Sequence, residues 1–147
     1  MLSNKAKYGL KAMMHLAGAQ GVSLAADIAA ENRIPRKFLD AILLELTKAG
    51  ILSSKKGKGG GYMLARPADA VTAGQIIRIL DGPLAPIACA SVTAYRPCED
   101  CEDERLCTVR LMMQQARDAL SNVLDNRSLS EMRRLGDPAN HPEATFL

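Results

Sequence analysis

LLELTKAGILSSKKGKGGGY, running from Leu43 to Tyr62, passes from the end of a helix through a turn into a hairpin. Gly50 stands where a left-handed helix cap is wanted. Ile51–Ser54 and Tyr62–Ala65 are short strand candidates, and Lys55-Lys56-Gly57-Lys58-Gly59-Gly60-Gly61 between them forms a basic, glycine-rich tip. Upstream, Pro35 suits the first turn of the helix, where its missing N–H costs nothing. Leu39, Ile42, Leu43 and Leu46 repeat at helical spacing and give that helix a core face. Its outer face carries Arg36, Lys37, Asp40, Ala41, Leu44, Glu45 and Lys48.

Two further helices precede this segment. Leu10, Met13, Met14 and Ala17 form an apolar stripe within residues 4–18, and Gly21 breaks the pattern. Ser23 is placed to cap a short second helix from Leu24 to about Asn32, with Leu24, Ala25, Ile28 and Ala29 inward. After the hairpin, Thr72 and Gln75 have capping-box spacing ahead of Ile76, Ile77, Ile79 and Leu80, and Gly82 stops that helix. Three short helices followed by a two-stranded wing make a winged helix-turn-helix over residues 1–82. The fold is therefore expected to be mainly α with a small β-hairpin.

This arrangement suits duplex DNA. A recognition helix meets bases and phosphates through its first turn, where Pro35, Arg36, Lys37 and Asp40 stand. Asp40 is open to two readings: it accepts from a cytosine amino group or rejects wrong sites, or it pairs along the helix with Arg36 or Lys37. In the wing, Lys55, Lys56 and Lys58 face the backbone of the duplex, and Gly59 and Gly60 let the chain approach closely and donate N–H groups. A nucleotide phosphate loop fails on context, since no Gly-Lys-Ser/Thr ending opens a helix.

Charge is divided accordingly. Residues 1–82 carry 12 Lys and Arg against 6 Asp and Glu, net +6; residues 83–147 carry 7 against 10, net −3. A basic head suggests a polyanionic partner. Aromatic content of 3%, with no Trp, argues against single-strand binding by base stacking. No apolar run approaches the ~18 residues of a membrane span. The N-terminus leads into an amphipathic pattern rather than a secretory segment, so a cytoplasmic location is expected, with no membrane partner.

Cys89, Cys98, Cys101 and Cys107 all lie within one Pro-rich, acidic stretch. Thiols gathered so closely bind a soft metal or cluster, or form disulfides. In a reducing compartment the metal or redox role gains weight. Residues 83–105 are read as a cysteine-bearing sensor loop. Glu99, Asp100, Glu102, Asp103 and Glu104 are expected to raise the thiol pKa values, an effect that a bound cation reverses. Beyond the loop, Leu106, Val109, Met113, Ala116, Leu120 and Val123 follow the alternating three–four spacing of a coiled-coil seam. Read as a dimerisation helix, it pairs with a symmetry mate; the bland alternative is an ordinary core helix. With a short final helix over 129–135, residues 106–135 form one region, and 136–147 are expected to be a disordered tail. His15 reads as a helix-surface or core-edge histidine, and His141 carries no signal.

The Leu43–Tyr62 segment resembles the helix-to-wing signature of the IscR/NsrR family of bacterial repressors. Lys7-Tyr8-Gly9-Leu10-Lys11-Ala12-Met13 is similar to that family's first helix, and Cys101-x5-Cys107 to its cluster loop. The resemblance spans residues 1 to about 135. It implies a homodimer that binds a pseudo-palindromic DNA operator, with Pro35, Arg36, Lys37, Asp40 and Lys56 at the DNA. Several members hold an iron–sulfur cluster on three cysteines of this loop. Here Cys98 and Cys89 compete for the first place, with Cys98 ranked first for its tight Cys98-x-x-Cys101 spacing. Some relatives take a fourth ligand from a His at the position of Arg110, others from an Asp at that of Lys7; four cysteines in one chain are a natural substitute.

The resulting expectation is a transcription regulator sensing iron–sulfur, redox or nitric oxide status through a [2Fe–2S] or [4Fe–4S] cluster. Zinc on the same cysteines, or a cofactor-free thiol switch, stays open. A small iron–sulfur electron carrier is the alternative of another class. No nucleophile–base set supports an enzyme.

Overall fold

The computed structural model describes residues 1–140. Helices α1 (Asn4–Gly18), α2 (Ala25–Asn32) and α3 (Arg36–Lys48) are followed by strands β1 (Leu52–Lys55) and β2 (Gly61–Leu64), and then by α4 (Ala73–Asp81), α5 (Thr108–Asp125) and α6 (Leu129–Leu135). The strands are antiparallel, pairing Leu52 with Leu64 and Lys55 with Gly61. None of the described helices is long and apolar enough to cross a membrane.

The core lies between α1, α3 and α4. Leu39, Ile42, Leu43 and Leu46 of α3 are fully buried, as their spacing demands. Thr72 and Gln75 form the reciprocal capping box that starts α4, and Gly82 ends it at φ +90. On α1 the buried set is Ala6, Gly9, Ala12, Met13 and Leu16, rotated from the expected stripe; Leu10, Met14 and Ala17 are only partly buried. The cause is a close helix crossing. A Cβ on Gly9 would lie 2.1 Å from Leu80 Cδ1, so small residues form the groove that α4 fills.

Three other expectations are corrected. Ser23 does not cap α2: Leu24 holds the N-cap position, without a side-chain hydrogen bond, and is half exposed. Ser23 instead exchanges backbone hydrogen bonds with Tyr62, at 2.9 and 2.8 Å, adding a third short rung to the wing. Residues 106–135 are not one packing unit. Leu129 of α6 is fully buried in the head core, its N–H bonds Val71 O at 2.9 Å, and Arg133 reaches Ala17 O at 3.2 Å. Nor is the tail without structure from residue 136. Gly136 caps α6, and Pro138–Asn140 form a 3₁₀ turn; the remainder, with His141, lies outside the described residues. His15 is a core-edge residue, as expected, 3.2 Å from Glu31 and from Asn32.

Helix α5 is joined to the head by one ion pair of good geometry. Arg78 of α4 grips Asp125 with both amino groups, at 2.6 and 2.9 Å. Asp125 closes α5, where a negative charge opposes the helix dipole, so the pair also offsets that cost. A Cβ on Gly74 would lie 2.0 Å from Asp125 Oδ1, which keeps that position open for the carboxylate. The Arg78 guanidinium holds the Asp125 carboxyl below the usual carboxylate range. The depressed pKa sets the sign: this stabilisation is present above the ordinary Asp range and is lost as pH falls through the lowered value. Both side chains are about a third exposed, so solvent screens the pair. Asp125→Asn is expected to cost about 1 kcal/mol at neutral pH. Denaturant melts across a pH series should show the variant and the parent converging below about pH 4.

Candidate nucleic-acid interface and cysteine loop

Pro35 ends the approach to α3, and its carbonyl accepts from Phe38 N and Leu39 N at 3.0 and 3.1 Å. The turn that follows leaves Arg36, Lys37, Asp40 and Ala41 exposed on one side of the helix. Of the two readings of Asp40, the intrahelical pair is present: Arg36 Nε donates to Asp40 Oδ1 at 2.8 Å, four residues apart. Lys37, Lys55, Lys56 and Lys58 have no side-chain hydrogen bond or ion pair among the described residues. Four free ammonium groups thus stand on the recognition helix and the wing.

The wing tip depends on its glycines. Gly61 has φ +150, and a Cβ there would meet Ser23 O at 2.3 Å. Gly60 corrects the expectation that it donates to DNA: it is buried, and its N–H is already bonded to Gly57 O at 2.9 Å. Gly59 remains exposed. Gly61→Ala is expected to break the Ser23–Tyr62 rung and destabilise the head by about 2 kcal/mol, the usual range for forced backbone strain. A melting temperature equal to that of the parent would contradict this.

The cysteines come together around the start of α5. Cys107 is the N-cap of that helix, without a side-chain cap hydrogen bond, and its sulfur lies near the backbone N–H groups of Arg110 and Val109. Those N–H groups, that of Arg110 first, and the neighbouring Cys101 thiol hold the Cys107 pKa below its ordinary value. The Cys101 thiol, with Cys107 first and then Cys98 beside it, is pushed up to about 12. Cys89 sits in a 3₁₀ turn, Ala88–Ala90, and is buried; burial first, then the neighbouring Cys98 and Glu104, raises its thiol. The acidic residues therefore do less than expected. Asp103 is turned onto Arg105, and Glu104 accepts from Tyr95 Oη at 2.6 Å and from the Cys98 N–H.

Two arginines tie this assembly to α5. Arg110 Nε donates to Cys89 O at 2.9 Å and Arg117 donates to Ala90 O. Arg110 also lies 3.9 Å from the Glu104 carboxylate. At the position where a ligating His stands in some members of the family it resembles, this chain has a structural clamp. A cavity of about 410 Å³ opens nearby, lined by Pro83, Pro86, Ile87, Tyr95 and Arg96 among others, and none of its walls is a cysteine.

Among the described residues, no three Cys, His, Asp or Glu side chains are already arranged around a single ion. The donor chemistry nevertheless suits a soft metal or cluster. Cys101 neighbours both Cys107 and Cys98, Cys89 lies near Cys98, and all four are free thiols.

Residues 2–134 match the Rrf2 family, described as iron-dependent transcriptional regulators. The chain belongs to this family. A Rhodobacter capsulatus protein named for its likeness to Rrf2 HTH-type transcriptional regulators is 37% identical over 145 residues, covering 95% of this chain and 96% of the relative. The structure of CymR, titled the global cysteine regulator of B. subtilis, superposes with a TM-score of 0.75 at 33% identity, covering 93% of this chain and 98% of that one. The T. potens IscR structure gives a TM-score of 0.74 at 26% identity, covering 95% and 90%. The winged-helix reading and the assignment to transcription regulators rather than enzymes both stand on these matches.

Membership of the family did not point to Tyr95, Arg117 or the Arg78–Asp125 pair, nor to the groups that Glu104 and Arg110 hold. A partial signal existed: Arg110 and Arg117 are seven apart and share one face of α5, along the edge of the apolar seam. What they bind, two carbonyl oxygens, leaves no mark in a sequence.

Proposed function

We propose that this Rrf2-family regulator binds a pseudo-palindromic duplex operator as a homodimer and senses iron–sulfur, redox or nitric oxide status through Cys89, Cys98, Cys101 and Cys107. The DNA contacts are Pro35, Arg36, Lys37 and Asp40 of α3, with Lys55, Lys56, Lys58 and Gly59 of the wing. The observation that carries this reading is the position of the cysteines. They sit at the N-terminus of α5, a helix whose free face is an exposed apolar stripe and whose other side is held by the head. A change in the loop is thus transmitted to both the dimer face and the recognition helix. It acts in the cytoplasm, where its DNA target lies.

Cys98, Cys101 and Cys107, with Cys89 as fourth donor, are the residues that would hold a [2Fe–2S] or [4Fe–4S] cluster. Such a cluster supplies a site that redox agents or nitric oxide modify. The chain's own part is to keep the thiols together, with Glu104 fixing the Cys98 backbone and Arg110 the Cys89 carbonyl. The lowered Cys107 pKa favours a second reading, a thiol switch without a metal; zinc on the same sulfurs is a third.

Anaerobic purification, an absorption spectrum and iron, sulfide and zinc analysis separate them. Visible absorption with iron and sulfide supports the cluster. One zinc per chain makes the loop structural, and a metal-free, colourless protein moves the chemistry to the thiols. For the DNA surface, Lys56→Ala is expected to weaken binding to all duplexes and to reduce the salt slope by about one. An unchanged slope removes Lys56 from the interface.

A further inference from the structure

We propose that Arg36 reads a guanine in the major groove, and that Asp40 is the residue that positions it. This rests on the duplex-binding reading above and assigns a base and a division of labour within it. Arg36 Nε is occupied by Asp40 Oδ1 at 2.8 Å, so the two terminal amino groups are left as a free pair of donors. Neither side chain has any other partner among the described residues. Guanine is the base that shows two adjacent acceptors, O6 and N7, in the major groove. Adenine sets a donor beside its acceptor, thymine offers one acceptor and a methyl group, and cytosine offers a donor.

The brace also removes a cost. A free arginine loses much side-chain freedom when it docks, and one already held by its i+4 neighbour loses less. The pair has no net charge, so Arg36 adds little to non-specific phosphate attraction. That role falls to the unpaired Lys37 beside it and to the wing lysines. A carboxylate that bonds neither a base nor an arginine repels the phosphates, whereas a carboxylate bonded to the reading arginine raises affinity for the right sequence and lowers it for others.

These two roles for Asp40 predict opposite signs. The test is selection from a random duplex library with the full-length wild-type protein, Arg36→Ala, Arg36→Lys and Asp40→Ala, followed by affinities for the wild-type-selected duplex. Wild type is expected to enrich a guanine at one position of each half-site. Arg36→Ala and Arg36→Lys should both lose that preference alone, the second despite keeping the charge. Asp40→Ala should relax the same position and bind the selected duplex about tenfold more weakly, the discrimination typical of one bidentate contact. Uniformly tighter binding by Asp40→Ala to all duplexes would overturn the proposal, as would loss of preference at a different position from that of Arg36→Ala. If wild type enriches no duplex at all, the duplex-binding reading itself fails and takes this one with it. Both side chains are half exposed, so unchanged melting temperatures in all variants confirm that folding is not the cause.

Discussion

Leu120→Glu is expected to turn the protein into a monomer and to weaken its binding to a two-half-site duplex by roughly a hundredfold or more, the usual gain from linking two binding modules. Helix α5 contains no buried residue in the single chain. Val109, Met112, Leu120 and Val123 are each 45–60% exposed, and Met113 and Ala116 complete the same face. An apolar stripe along an 18-residue helix is a surface that monomeric proteins rarely leave uncovered. Its three–four spacing is that of helices packing against their symmetry mates. A glutamate at the middle of the stripe places two like charges close together across the two-fold axis, with no partner for either. Leu120 lies outside the head core, so affinity for a duplex carrying a single half-site should be nearly unchanged. Sedimentation velocity and fluorescence anisotropy on both duplexes measure the two effects. A dimer that survives Leu120→Glu would place the interface elsewhere.

Cys101→Ser is expected to abolish iron and sulfide binding and to leave DNA affinity indifferent to anaerobic or oxidising conditions. Cys101 is the thiol that neighbours both Cys107 and Cys98, so its loss removes the central donor of the set. Serine keeps the size but is a poor ligand for a soft metal. Cys89→Ser should have the smaller effect, because Cys89 is buried in its own turn and adjoins only Cys98 among the thiols. Iron and sulfide per chain, read beside the visible spectrum, check both variants. Full cluster content in Cys101→Ser would remove Cys101 from the ligands. Zinc lost in place of iron would leave the ligand set intact and change only the metal.

Much of the head was legible in advance because its signals are local. The core face of α3 follows from four residues at helical spacing, and the start of α4 from a Thr and a Gln three apart. The wing follows from a glycine-rich tip between two apolar pairs. Each depends on residues within one or two turns of one another. The readings that failed depend on partners far away in the chain. The inner face of α1 was displaced because Gly9 and its small neighbours admit Leu80 of α4, and a search for large apolar residues passes over glycine and alanine. Ser23 has the chemistry of a cap, but Tyr62 competes for its backbone. The last helix looked like an appendage of α5 because nothing in Leu129–Leu135 announces that Leu129 fills a hole in the head.

The cysteine loop divides in the same way. The crowding of four cysteines into a single acidic stretch was evident in the sequence. Which thiol is the acidic one was not. The nearby carboxylates suggested that every thiol would be raised, yet Cys107 is lowered because it stands at a helix N-terminus, near the Arg110 and Val109 backbone N–H groups and the Cys101 thiol. A helix field and an aimed N–H act over a few ångströms and in one direction. Local patterning thus points to a winged helix followed by a thiol-rich loop, and the family matches add that the chain is a transcription regulator. The roles of individual side chains within the loop, and of the arginines that clamp it to α5, were settled by the packing of distant segments, since direction and distance are absent from a string of residues.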